Sequence, residues 1–139
     1  MSVDRTFALI KPDAVKRGIE GKIIDKIIES GFSIVNIRKI HLTEDQGALF
    51  YAVHSDKPFF GDLKSFISSG PLYALVLEAE GAVKKWRDTM GATNPADAAE
   101  GTIRREFGTE LSRNVVHGSD SQENAKIESS IFFSELELI

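Results

Sequence analysis

Apolar residues recur along this chain in two rhythms, one suited to strands and one to helices, and the switches between them mark out its elements. Residues 3–10, VDRTFALI, are β-branched and aromatic and run into Lys11-Pro12-Asp13. Proline has no N–H to give a ladder, so the first strand is predicted to stop at Lys11. Ile19, Ile23, Ile24, Ile27 and Ile28 then return at helical spacing, with Gly31 as the stop. Residues 32–42, FSIVNIRKIHL, read as a second strand with apolar residues on both faces and a structural His41 near its end. Thr43 and Gln46 have capping-box spacing for a helix carrying Leu49, Tyr51, Ala52 and Val53. A second short helix is expected to begin at Pro58 and end at Ser69-Gly70-Pro71. Its Phe59, Phe60, Leu63, Phe66 and Ile67 exceed one narrow stripe, so most are assigned to the core, leaving Phe59 or Tyr51 to face a flat ligand.

Leu72 to Ala79, LYALVLEA, is the clearest buried strand. Ala82 to Met90 returns to helical spacing through Val83, Trp86 and Met90, with Arg87 flanking the apolar stripe, either snorkelling or aimed into a cleft. From Gly91 to Arg113 periodicity fails, apart from a possible helical turn at Thr102 to Glu106. Loops of that length in a compact domain are usually functional. Val115 and Val116 suit a strand end, and Ser119 to Ser121 supply caps for a last helix through Ala125, Ile127 and Glu128. Ser119 with Gln122, or Asp120 with Glu123, has the capping-box spacing. Ile131 to Phe133 and Leu136-Leu138-Ile139 follow as a tail expected to pack on the body. The framework is βαββαβ, an α/β (α+β) ferredoxin-like sandwich with an antiparallel four-stranded sheet and a helix pair inserted between the second and third strands. One domain, 1–139, is expected at this length.

Composition narrows the function classes. The 42% apolar and 27% charged residues fit a globular chain, and no apolar run approaches membrane-spanning length. No secretory signal opens the sequence, so a cytoplasmic location is the expectation. There is no cysteine, and His41, His54 and His117 lie far apart without ligand spacing, so a structural zinc site is not expected. A net charge of −4 argues against a dedicated nucleic-acid surface.

The chemistry converges on Asn114 to Ser121, NVVHGSDS. Gly118 permits a sharp turn after the short strand, which presents His117 at the strand tip beside a helix N-terminus, an end that favours anions. Glu128 lies about two turns into that helix, from where its carboxylate could reach back towards the ring, a reach the sequence alone does not establish; a carboxylate holding one ring nitrogen would leave the other as a nucleophile. Lys11, Arg87, Arg104, Arg113, Thr93 and Asn114 are available to gather round it, as phosphoryl transfer requires, because its transition state spreads negative charge over three equatorial oxygens. There is no phosphate-binding GxxxxGK[ST] loop, so side chains must hold the phosphates. The plain alternatives are a buried structural histidine before a capped helix, and a Lys11 that is merely solvated.

TFALIKPDAV, DKPFF, SGP, GATNPADAAEGTIRREF and SRNVVHGSDS together resemble the nucleoside diphosphate kinases over essentially the whole chain. The resemblance implies that His117 is the nucleophile, carrying a pros-phosphohistidine, and that Lys11 contacts the transferred phosphate. It further implies that Arg87, Thr93 and Arg104 bind phosphates, that Asn114 holds the sugar region with Lys11, and that Phe59 stacks on the base. Tyr51 matches the tyrosine near the histidine, Ser119 and Glu128 match residues that orient it, and Arg113 has no clear counterpart role. The reaction implied is ping-pong transfer of the terminal phosphate from a nucleoside triphosphate, usually ATP, to a nucleoside diphosphate, which maintains NTP and dNTP pools. Mg²⁺ would ride on nucleotide phosphates and water, with no protein ligand set. The family also forms homo-oligomers, tetramers or hexamers built from a dimer. Ala79 and Leu111 stand where glycine and valine are common in it. The rival readings are a non-catalytic nucleotide-binding module and a phosphohistidine carrier that relays phosphate between proteins.

Overall fold

Four strands pair antiparallel in the order β2-β3-β1-β4, with helices on both faces of the sheet. The computed structural model describes residues 3–139. The strands are β1 (Val3–Ile10), β2 (Ser33–Ile40), β3 (Leu72–Glu80) and β4 (Val116–Gly118). Around them lie α1 (Pro12–Lys16), α2 (Glu20–Glu29), α3 (Glu44–Phe50), α4 (Phe60–Ile67), α5 (Ala82–Met90), α6 (Ile103–Phe107) and α7 (Gln122–Phe132). Short 3₁₀ turns occur at Ala52–His54, Pro95–Asp97 and Glu135–Leu138. This is the expected ferredoxin-like βαββαβ arrangement, with α3 and α4 inserted between β2 and β3.

Strand alternation builds two cores. Ala8 and Ile10 of β1, with Leu75 and Leu77 of β3, face Ile23 and Ile27 of α2 and Trp86 and Met90 of α5. Phe7 and Leu9, with Ala74 and Val76, face Phe50, Tyr51, Ile67, Phe132 and Phe133. Residues 7–10 of β1 and 72–77 of β3 are therefore apolar without a break, since helices cover both sides. Each fully buried Leu, Ile or Phe contributes on the order of 1.5–3 kcal/mol from leaving water.

Several local expectations are corrected. Pro12 opens a separate short helix, α1, before the isoleucine helix, because proline suits the first helical turn. Strand β2 is shorter than the apolar run and sits at the sheet edge, with a register shift between Ile34 and Asn36. In α3 the buried face is Gly47 and Phe50, while Leu49 and Val53 point to solvent. Helix α4 begins at Phe60, two residues past Pro58, and only Ile67 of its aromatic-rich set is fully buried. The last helix is capped by Ser121, whose Oγ accepts from the Asn124 N–H at 3.1 Å. Ser119 and Asp120 are committed elsewhere, to Glu128 and to the Asn124 side chain. Phe132 and Phe133 pack against the sheet, but Leu136 and Ile139 are exposed. The irregular segment before β4 holds a 3₁₀ turn and α6, so it is folded against α5 and not a free loop.

Candidate active site around His117

Strand β4 is three residues long, yet it places His117 opposite Leu9 of β1, at the edge of the sheet. The His117 carbonyl accepts the Trp86 indole N–H at 3.1 Å, which ties the strand to α5. Gly118 is required by that approach, since a Cβ there would lie 2.5 Å from both Trp86 and Met90. The imidazole packs against the Phe50 ring, with centroids 5.1 Å apart at 75°.

The ring nitrogens are differentiated by Glu128. Nε2 lies 2.7 Å from Glu128 Oε1, and the same oxygen accepts the Ser119 hydroxyl at 2.9 Å. A carboxylate oxygen only accepts, so Nε2 carries the hydrogen and the lone pair is on Nδ1. Burial pushes the His117 pKa below the ordinary value, Glu128 opposes that shift, and the charges of Lys11 and Arg104 add to it. The ring is thus neutral near pH 7, with its nucleophilic electrons free. Ser119 is 1% exposed, so its hydroxyl is a fixed brace for Glu128.

Lys11 follows β1, at the N-cap of α1, and is buried, with Nζ donating to Asn114 Oδ1 at 2.8 Å. Asn114 in turn donates to the Thr93 carbonyl at 2.9 Å and the Leu111 carbonyl at 3.1 Å. This lysine is not the solvated one that a strand-end lysine usually is. Burial, then the Arg104 charge, lowers its pKa to about 8, while Asp13 acts against them. Arg104 is also buried, donating to the carbonyls of Gly91 at 3.1 Å and Val116 at 2.8 Å. Its Nε is buried without a partner, a donor suited to an anion. Burial, and secondarily the neighbouring Arg87 charge, lowers its pKa to about 10.

Tyr51 is 8% exposed, and burial, with the Glu128 charge, raises its phenol to about 12. It is therefore a neutral hydroxyl beside the histidine and not a face for a flat ligand. Phe59 is 47% exposed and lies 5.9 Å from the His54 ring, which in turn lies 6.4 Å from Tyr51. A cleft of about 500 Å³ opens between Phe59, Leu63 and Phe66 on one side and Ser112 and Arg113 on the other. The Arg113 guanidinium stacks 3.9 Å over the Phe66 ring, an outward position. Arg87 and Thr93 are exposed. A larger cavity of about 660 Å³ between α7 and the C-terminal turn has neither His117 nor Lys11 in its lining, and its Arg5 and Lys126 share it with Glu123 and Glu135.

The structure thus joins His117, Glu128 and Ser119 directly, and Lys11, Asn114 and Thr93 directly, with Arg104 attached one residue from the histidine. Arg87 and Phe59 make no direct bond to either group. Three contributors were not singled out by the sequence reading: Asp13, whose Oδ2 accepts the Val115 N–H at 3.2 Å, Phe50, and the indole of Trp86. A buried indole needs an acceptor, so Trp86 carried a signal. Val115, expected as ordinary strand, has φ 66° in the left-handed region.

A family model described as nucleoside diphosphate kinase matches residues 4–138. A nucleoside diphosphate kinase of Syntrophotalea carbinolica is 57% identical over 137 residues, covering 99% of this chain and all of the relative. The Persephonella marina protein of the same name is 52% identical over 139 residues, covering all of this chain and 99% of the relative. Among solved structures, the Aquifex aeolicus nucleoside diphosphate kinase superposes with a TM-score of 0.96 at 42% identity, covering 99% of this chain and all of that one. The Halobacterium salinarum enzyme in complex with CDP gives 0.93 at 41% identity, covering 99% and 92%. With matches spanning sequence and fold alike, the chain belongs to the nucleoside diphosphate kinase family.

Proposed function

We propose that this chain passes the terminal phosphate of a nucleoside triphosphate, typically ATP, to a nucleoside diphosphate through a phosphohistidine on His117. The observation that supports this best is the Glu128 contact at Nε2, 2.7 Å, which leaves Nδ1 as the nucleophile. In the first half-reaction the Nδ1 lone pair attacks the γ-phosphorus as the bond to the bridging oxygen breaks, and the diphosphate departs. The positive charge that develops on the phosphorylated ring is stabilised by Glu128, itself braced by Ser119. In the second half-reaction a diphosphate oxygen attacks the phosphohistidine and restores the ring.

Lys11 and Arg104 carry the charge that stabilises the transferring oxygens, and Arg87 and Thr93 close on the phosphates from the exposed side. Tyr51 offers its hydroxyl to the same group. Asn114 holds Lys11 and, with it, the sugar. Phe59 stacks on the base, and since every base has a π-face, broad base use follows. A Mg²⁺ ion arriving with the nucleotide would supply charge neutralisation at the phosphates that Arg87, Thr93 and Arg104 hold. The ion would be held mainly by nucleotide phosphates and water. The one domain, 1–139, carries the whole reaction. Strand β2 leaves a free edge with Ile37 partly exposed, which suits assembly into a homo-oligomer. Among the described residues no helix is long and apolar enough to cross a membrane; a cytoplasmic location is part of the same proposal.

Intact-protein mass after brief mixing with Mg²⁺ and ATP tests the mechanism. One added phosphoryl group, cleared by GDP with GTP appearing, is expected for the wild type and not for His117→Ala. No adduct and no GTP, with ATP bound, would leave a nucleotide-binding module. An adduct that only a protein donor can form would leave a carrier.

A further inference from the structure

Val115 is the only non-glycine residue with positive φ among the described residues, at 66°. A β-branched side chain in that region costs roughly 1–3 kcal/mol and persists only where the surroundings over-determine it. Here they do. The Val116 N–H reaches back to the Asn114 carbonyl at 2.8 Å, closing a three-residue γ-turn around Val115. The Val115 carbonyl accepts the Lys11 N–H at 2.8 Å, and the Val115 N–H donates to Asp13 Oδ2 at 3.2 Å. Both polar groups of Val115 are therefore held by residues on either side of Pro12, while its side chain is fully buried.

We propose that Asp13 is a positioning residue for phosphoryl transfer, its carboxylate clamping the strained Val115 turn that sets Asn114 and His117 in register. This rests on the His117 reading. The turn lies between the residue that holds Lys11 and the residue that would take the phosphate. Relaxing Val115 towards an ordinary strand conformation swings one relative to the other, and a misplacement of about 1 Å can cost a factor on the order of 100 in rate. A purely helical role for Asp13 explains less. It lies in the first turn of α1, where any exposed carboxylate would complement the helix dipole. Instead its Oδ1 is buried without a partner, a cost that a capping residue need not bear. That burial raises its pKa, opposed first by the Lys11 charge and then by the backbone N–H groups of Val115, Asp13 and Ala14, so the carboxylate faces the start of α1 as well as the turn.

The test compares Asp13→Ala, Asp13→Asn and the double variant Asp13→Ala with Val115→Gly, reading kcat, KM, His117 phosphorylation and Tm. Asp13→Ala is expected to lower kcat about 10- to 100-fold with nucleotide KM nearly unchanged. Asp13→Asn keeps an oxygen for the Val115 N–H and is expected to recover most of that loss. Glycine adopts the turn without a clamp, so Val115→Gly is expected to restore at least about tenfold to Asp13→Ala despite a lower Tm. A folded Asp13→Ala protein with wild-type kcat overturns the clamp, as does an Asp13→Asn loss equal to that of Asp13→Ala without rescue by glycine. Should Asp13→Ala fail to fold, Asp13→Ser, which keeps a polar side chain in the first turn of α1 but stops short of Val115, takes its place under the same criteria. Wild-type protein that forms no phosphohistidine overturns the parent reading and the clamp together, whereas a phosphorylated wild type with an unaffected Asp13→Ala overturns only the clamp.

Discussion

His117 and Phe59 are both rings assigned to touch the nucleotide, and their settings differ throughout. The histidine is gripped by a carboxylate at 2.7 Å, packed on Phe50, and anchored through its carbonyl to Trp86. Lys11, Asn114 and Arg104 beside it are buried and hydrogen-bonded to one another or to the backbone. Phe59 is nearly half exposed, Arg113 across the outer cleft from it is exposed, and so are Arg87 and Thr93. Groups that must meet a transition state within a few tenths of an ångström gain from being held before substrate arrives. Groups that bind a base of any identity gain from an open face, and ordering them is left to the ligand.

That contrast is sharpest at His117. Replacing it by alanine is expected to remove covalent phosphorylation and lower turnover by on the order of 10⁴-fold or more, read by quench-flow and intact mass. Substantial turnover in that variant would move the nucleophile elsewhere. Next in size, Glu128→Ala removes a bond to the ring worth about 1.5–3 kcal/mol, so kcat should fall roughly 10- to 150-fold at similar KM. A change confined to KM would mean that the inner half is not preorganised through this carboxylate. Phe59→Ala should act the other way round, weakening nucleotide binding by about 1–3 kcal/mol while phosphorylation of His117 at saturating ATP is retained. Equal loss in kcat would erase the distinction between the two halves.

The smallest effect is in the pH profile. His117 sits below its ordinary 6.5, so kcat/KM should hold through that pH and fall only in more acid solution. Lys11 at about 8 must be protonated to meet phosphate, so kcat/KM should decline as pH rises through about 8. The same shift from 10.5 means that the Lys11 contribution to stability is complete above pH 10.5 and is lost as pH falls towards 8. A basic limb that stays above pH 10 would place Lys11 in a wetter setting than its burial implies.

Legibility in the sequence followed the same divide. The helix α2 isoleucines, the β3 apolar run and the Thr43–Gln46 capping box are local patterns, and the structure contains all three. Helical rise placed Glu128 about two turns into its helix, but only the fold brings its carboxylate to His117 at 2.7 Å. Missed features were those that only folding brings together. Asp13 meets Val115 across 102 residues, and although the resemblance put Asn114 and Lys11 at one site, their direct bond across 103 residues came only with the fold. The serine that caps α7 could not be chosen among three adjacent small polar residues until Glu128 had claimed one of them.

Alternating and helical apolar spacing by itself determined that this chain makes strands and helices in a βαββαβ order, and its motif set carried the family resemblance. Which strand lies beside which, that β4 is an edge of three residues, and that Lys11 is buried and lowered in pKa were decided by tertiary structure alone. The reason is physical: periodicity is a property of neighbours in the chain, while desolvation and hydrogen-bond partnership depend on groups that sequence separates and packing brings into contact.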